Sequence, residues 1–291
     1  MQTAVALRSS PICTLGECPR WDEKTGTLYW VDIDGFALHK LDPVSGALSS
    51  RTFGQSIGSF ALRERGGFVL ALRSGYALLA SFDSPVEAIA SPHWDTATER
   101  FNDGRCDPQG RFWAGTMYEP RDKAAARLYR LDADLTWSAH GQGVTISNGI
   151  AVSLDQKTFY FADTPTHTVM RYDFDAMSGE LSVPTTFLTF PEGKGRPDGA
   201  VVDGAGNYWI ALFSGSRVQC YSPAGKLLDE IAVPTKNPTC LTFGGADMQT
   251  LFITTAKIRL TDDELLAQPD AGRVFTARTA IAGLIEPRFK G

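Results

Sequence analysis

Six times along the chain, a turn containing Gly or Asp is followed by a short apolar and aromatic run. The runs are Gly26-Thr-Leu-Tyr-Trp30, Gly66-Gly-Phe-Val-Leu70, Gly110-Arg-Phe-Trp113, Lys157-Thr-Phe-Tyr160, Gly206-Asn-Tyr-Trp209 and Gln249-Thr-Leu-Phe252. Their anchors Trp30, Leu70, Trp113, Tyr160, Trp209 and Phe252 lie 40, 43, 47, 49 and 43 residues apart. A unit of roughly 45 residues is the period of a propeller blade. Further strands follow in each unit, such as Leu128–Asp132, Val169–Phe174 and Val218–Tyr221, with the period-two alternation of half-buried strands. Turn residues end them, as in Asp42-Pro-Val-Ser-Gly46 and Ser222-Pro-Ala-Gly225. Helical signal is confined to Thr261-Asp-Asp-Glu264 before Leu-Leu-Ala, which reads as a capping box. The pattern predicts one all-β domain over residues 1–291, a six-bladed β-propeller whose N-terminal segment lies near the last blade.

Composition narrows the partners. Hydrophobic residues make up 43% and charged residues 21%, as in an average soluble protein, which excludes a disordered chain and a coiled coil. With 28 basic against 33 acidic residues and no basic run, the chain has no face for phosphate backbones, so no nucleic acid is expected. The one long uncharged stretch, 135–154, is full of Ser, Gly, Gln and Asn and cannot span a membrane. The N-terminus lacks a basic start and a long apolar core, so it does not read as a secretory signal. The five cysteines contain no Cys-x-x-Cys pair. Free thiols and a cytoplasmic location are expected.

The repeat also points to chemistry. Each unit has a short apolar strand before its turn, and in a propeller the innermost strands line the central channel. The first positions of these strands are Glu17, Ser59, Asn102, Asn148, Asp198 and Thr239. All six bear oxygen, and two are carboxylates. Carboxylates facing each other in a narrow channel repel and lose hydration, which a bound cation relieves. Oxygen-only ligation suits a hard divalent ion, although zinc also accepts oxygen. Asn148-Gly149, Asp198-Gly199 and Asp103-Gly104 are turn signals when taken singly; their recurrence in one frame favours a metal site in the channel.

At this point the motifs resemble those of the SMP-30/gluconolactonase/LRE (regucalcin-like) family. The matching pieces are Leu15-Gly-Glu17 with Pro19 and Trp21, Arg100-Phe-Asn-Asp103, Gly110-Arg-Phe-Trp-Ala-Gly-Thr-Met117, Ser147-Asn-Gly149, Pro197-Asp-Gly199, Phe243-Gly-Gly245, and Leu260 to Gln268 followed by Pro269-Asp-Ala-Gly-Arg-Val-Phe275. The resemblance implies a six-bladed propeller that opens sugar lactones with one divalent metal (Ca, Zn, Mn, Mg or Fe). It places metal ligands on Glu17, Asn148 and Asp198, with Asp198 also the catalytic proton acceptor. It places substrate contacts on Arg100 and Asn102. Where the family commonly has Gly-Glu-Gly-Pro, this chain has Gly16-Glu-Cys18-Pro19, and strand alternation turns Cys18 away from the metal.

Tyr118, Glu119 and Arg121 follow in a loop too long for a tight turn, and such loops shape pockets at a propeller mouth, so Glu119 is expected to touch substrate. None of His39, His93, His140 and His167 sits at a ring position. His39 reads as facing solvent, and His93, beside Trp94, as at most a border of the pocket. A metal can activate water and polarise the lactone carbonyl. The expected partner is therefore a small sugar lactone, bound by a monomer or weak oligomer. Readings from other classes are a non-enzymatic cation-binding regulator and a phosphotriester hydrolase on the same site. Arg100 and Asn102, needless for merely holding an ion, favour the lactonase.

Overall fold

A computed structural model describes residues 2–7, 9–92 and 94–291. His93 lies outside the described residues. Six antiparallel sheets form the blades of a β-propeller. The inner strands are Gly16–Asp22, Ile57–Leu62, Glu99–Cys106, Ser147–Val152, Arg196–Val202 and Pro238–Gly244. The anchors found in the sequence lie on the second strands: Thr27–Asp32, Phe68–Leu72, Phe112–Tyr118, Thr158–Asp163, Tyr208–Phe213 and Thr250–Thr255.

The repeated turn has a physical cause. Asp107 Oδ1 accepts from the backbone N–H groups of Gln109 and Arg111, and its Oδ2 accepts from the Trp113 indole at 2.8 Å. Asp203 does the same for Ala205, Asn207 and the Trp209 indole, the last at 2.9 Å. One carboxylate thus closes the hairpin and fixes the aromatic anchor, satisfying donors that burial would otherwise leave unpaired.

The core is distributed between blades. Six apolar clusters fill the six blade–blade interfaces, for example Tyr29, Val31, Phe60 and Leu70 between the first and second. His39 belongs to this interior rather than to solvent. It is buried, lies over Trp30 with ring centroids 5.0 Å apart, and bonds Ser50 Oγ through Nδ1 at 2.8 Å. The expectation of an exposed imidazole fails because Trp30 offers an aromatic face at the adjacent register position.

Ring closure uses both ends of the chain. Val5–Ala6 pairs with Phe275–Arg278 and becomes the outer strand of the sixth blade. Gln2–Thr3 adds a parallel strand to the fifth. The capping box at Thr261 and Glu264 starts the helix Asp262–Ala267. The C-terminal tail then crosses the far end of the channel. Gly283 bridges Asp203, Phe289 bridges Arg63 and is buried, and Lys290 N–H donates to Gly110. Glu286, carried by this tail, meets Arg105 at 2.5 Å and Arg20 at 3.4 Å. Burial raises the Glu286 carboxyl, but the two arginines outweigh that and hold it below its usual value. No helix among the described residues is long and apolar enough to cross a membrane. All five cysteines are free and buried.

Candidate active site

Every inner strand breaks register near the ring position. The breaks fall between Glu17 and Arg20, Ile57 and Ser59, Phe101 and Gly104, Asn148 and Ala151, Pro197 and Ala200, and Pro238 and Cys240. A bulge bends a strand and re-aims a side chain. Here the bulges turn Glu17, Asn102, Asn148 and Asp198 into one cavity at the channel mouth, together with Arg100. Ser59 and Thr239 stay behind it. Thr239 Oγ1 is engaged by Gly16 O and Thr254, and Ser59 packs against Gly104. The oxygen ring of the sequence therefore reduces to four members at the cavity.

Two carboxyls are buried in that cavity wall. Glu17 is pushed up to about 8, first by burial and then by the nearby charge of Asp103; the Cys18 N–H, donating to Glu17 Oε2 at 2.9 Å, opposes this. Burial, then Glu17, then Asp103 push Asp198 well above the usual carboxylate range. Carboxyls raised by desolvation and by neighbouring negative charge are in the environment that a bound cation relieves. The third oxygen is pre-aimed. Asn148 Nδ2 donates to Thr164 Oγ1 at 2.7 Å, which donates on to Pro197 O at 2.8 Å. That fixes the flip of the amide and directs Oδ1 to the other side, where Asn102 Nδ2 donates to it at 3.0 Å. The donor set of two carboxyls and one carboxamide oxygen fits a hard divalent cation.

A polar chain supports the set. Arg100 Nη1 donates to Asn102 Oδ1 at 2.8 Å, and Asn102 Nδ2 also reaches Ser147 O at 3.0 Å. Arg100 Nε lies 3.4 Å from Glu119, whose two oxygens receive Arg73 at 2.8 and 2.9 Å. Glu119 does not line the cavity; Arg121, two residues on, does. Cys18 adopts φ 52, a left-handed conformation that glycine takes more easily. Its side chain joins the apolar cluster between the first two blades, and burial holds its thiol up at about 12. A thiol so buried is inert and turned away from the cavity.

Several residues had no role assigned to them in the sequence reading. Asp103 accepts from Gly104 and Ile150 N–H at 2.8 and 3.0 Å and raises both carboxyls. Thr164 is visible only once the strands pair. Arg196 and Arg259 line the cavity with Arg121, and Arg196 stands two residues before Asp198. A second metal-capable group, Cys13, Asp32 and His39, has donor atoms within 4.8 Å of one another. It is enclosed in the first blade, where Asp32 already accepts the N–H groups of Thr14, Leu15 and Gly35 and Cys13 Sγ accepts the Trp30 indole. No substrate reaches it, so the cavity at the channel mouth is the site with chemical access. That cavity measures about 70 Å³. A cavity of ~150 Å³ takes a benzene ring, so this one holds an ion and its waters, and a larger ligand extends above it toward the mouth loops.

A family model described as SMP-30/Gluconolactonase/LRE-like region matches residues 15–257. Among characterised relatives, the 6-deoxy-6-sulfogluconolactonase of Pseudomonas putida is 44% identical over 95% of each chain. The pentonolactonase of Haloferax volcanii is 38% identical over 84% of this chain and 82% of its own. Among solved structures, a calcium-binding protein, regucalcin, from Agrobacterium tumefaciens superposes with a TM-score of 0.94 at 29% identity, covering 99% of this chain and 97% of that one.

Proposed function

Since the chain belongs to the SMP-30/gluconolactonase/LRE-like family, we propose that it hydrolyses sugar lactones to aldonic acids, with one divalent cation held by Glu17, Asn148 and Asp198. The observation that carries this reading is the placing of two buried, raised carboxyls, Glu17 and Asp198, beside a pre-aimed amide oxygen in the wall of one open cavity. Lactonase names among the relatives support the reaction class. When bound, a divalent cation lowers the pKa of water and polarises a carbonyl. The oxygen-only donors leave calcium, magnesium, manganese, zinc and iron as the set to test.

The protein's own groups do the rest. Asp198 takes a proton from the attacking water as its oxygen bonds to the lactone carbonyl carbon. The acyl C–O bond to the ring oxygen then breaks, and Asp198 returns the proton to that oxygen. Arg100, clamped by Asn102 and Glu119, presents its remaining N–H groups to sugar hydroxyls and fixes the approach angle. Asn102 orients both Arg100 and the Asn148 oxygen, and Glu119 acts on substrate through Arg100. Cation storage alone would give the clamped guanidinium no purpose.

The test is proton release from a panel of aldonolactones by the metal-loaded protein and by Asp198→Ala. The reading expects turnover by the parent and a loss of at least ~10³-fold in the variant, with the fold intact by circular dichroism. Equal turnover by the variant would remove Asp198 from the chemistry. The relatives' names cover both a sulfonated gluconolactone and a pentonolactone, so membership of the family leaves the sugar's substituents open.

A further inference from the structure

Three guanidinium groups face the cavity mouth without a partner. Arg121, Arg196 and Arg259 all line the cavity and are exposed. Among the described residues, none of the three has a side-chain hydrogen bond, an ion pair or an aromatic contact. The other cations of the region are matched. Arg73 and Arg100 share Glu119, and Asp34 is near enough to feel both. Glu17 and Asp198 would be matched by a dication. What remains is a rim of three positive charges on a protein whose net charge is −5.

The three come from three different places in the fold. Arg121 follows the strand Phe112–Tyr118, Arg196 opens the strand Arg196–Val202, and Arg259 follows the strand Thr250–Thr255. Turn chemistry does not explain them. Arg121 and Arg259 stand at φ 61 and φ 59, where glycine or asparagine would sit with less strain. Packing does not explain them either, since all three residues are exposed. Like charges gathered around one small mouth repel, and an anion placed among them offsets that repulsion. Arginine's planar fork of donors suits the oxygens of sulfonate, phosphate and carboxylate alike.

Their position selects where on a substrate that anion lies. The reacting carbonyl must reach Asp198 at the cavity base, and the cavity admits little more than that end. The opposite end of the sugar therefore emerges at the rim, over the apolar wall of Phe213 and Ile258.

We propose that the preferred substrate is a sugar lactone bearing an anionic group on the carbon farthest from its carbonyl, held by Arg121, Arg196 and Arg259. This rests on the lactonase reading above. It adds that the rim selects the anion and that the neutral lactone is the poorer substrate.

The test uses the metal-loaded full chain and four lactones: neutral glucono-δ-lactone, its 6-phosphate, its 6-deoxy-6-sulfonate, and the glucaric lactone that carries a carboxylate. The readout is the ratio of kcat/KM for each charged lactone to that for the neutral one. At least one charged lactone should lead by about 10- to 100-fold, the contribution of one or two charge-assisted hydrogen bonds. Which of the three leads identifies the anion. The lead should shrink as salt rises from ~0.02 to ~0.5 M, because the rim is exposed and screened. In the triple variant Arg121→Met, Arg196→Met, Arg259→Met the ratio should fall to within about threefold of one, mainly through KM, while the corresponding lysine variant recovers part of it. A metal-induced rise in melting temperature in each variant verifies that the site is still formed. A neutral lactone opened as fast as all three charged ones would overturn the proposal and leave the lactonase reading standing. A preference that survives in the triple methionine variant would also overturn it. If none of the four lactones is opened with any divalent metal, the lactonase reading fails and this inference with it.

Discussion

Asn102 Nδ2 donates to Asn148 Oδ1 across 3.0 Å, while Asn102 Oδ1 receives Arg100 at 2.8 Å. One amide therefore couples the Arg100 guanidinium on the third blade to the Asn148 amide oxygen on the fourth. A flip of that amide would break both bonds at once.

The consequence is measurable in Asn102→Ala. The variant leaves Asn148 held on the Thr164 side only and Arg100 held by Phe101 O and Glu119 alone. Removing a group that orients a ligand typically costs about 10- to 100-fold in metal affinity, and the variant should lie in that range. Competition titration against a chromophoric chelator reads it directly. Unchanged affinity with slower turnover would restrict Asn102 to the substrate side.

The far end of the channel offers a stability prediction. Glu286 sits between Arg105 and Arg20, with its carboxylate held low by both. Breaking a buried ion pair costs about 3–5 kcal/mol when one charge is left behind. Arg105 keeps carbonyl partners at Ile150 and Ala200, which places Glu286→Gln at the lower end, about 3 kcal/mol. Urea denaturation should show the midpoint lowered with the slope unchanged. A midpoint equal to the parent's would mean that the tail contributes no net electrostatic stabilisation.

A third prediction concerns pH in the metal-free protein. The Glu17 carboxyl is raised to about 8 from an unfolded value near 4.5, and Asp198 is raised as well. Between those values the folded state binds more protons than the unfolded one. Stability from these groups is therefore full below pH ~4.5 and is lost as pH climbs toward 8. A divalent cation replaces the protons, so the stabilisation it brings should grow over the same window. Thermal melts with chelator and with metal at pH 5, 6, 7 and 8 give the comparison. A metal-induced shift that does not change with pH would argue against these carboxyls as the ligands.

Much of the fold was legible because a propeller repeats its local rules. Two of the anchors show the local rule directly, since one aspartate closes the hairpin and binds the indole, Asp107 with Trp113 and Asp203 with Trp209. The capping box at Thr261 was readable because it is local. The ring frame likewise found Glu17, Asn102, Asn148 and Asp198, which the cavity brings together. It overreached at Ser59 and Thr239, because which ring side chains face the cavity depends on where each bulge falls, and bulges leave no mark in a period-two pattern. His39 was misjudged because a neighbouring strand position looks exposed until Trp30 is placed beside it. Arg196 and Arg259 were overlooked, and Asp103 was read only as a turn and motif residue, for a different reason. A charge acquires meaning from what it lacks or meets across the channel, and that is a property of the assembled ring.

The central claim is that Glu17, Asn148 and Asp198 hold a divalent cation on which lactone opening depends. The most direct measurement is proton release from a lactone by one protein sample in three states: as purified, after exhaustive chelation with metal content checked by elemental analysis, and after one equivalent of each divalent ion is returned. The account predicts that turnover falls to the uncatalysed rate on chelation and returns with one equivalent of at least one of calcium, magnesium, manganese, zinc or iron. Full turnover by protein verified to be free of metal would contradict it.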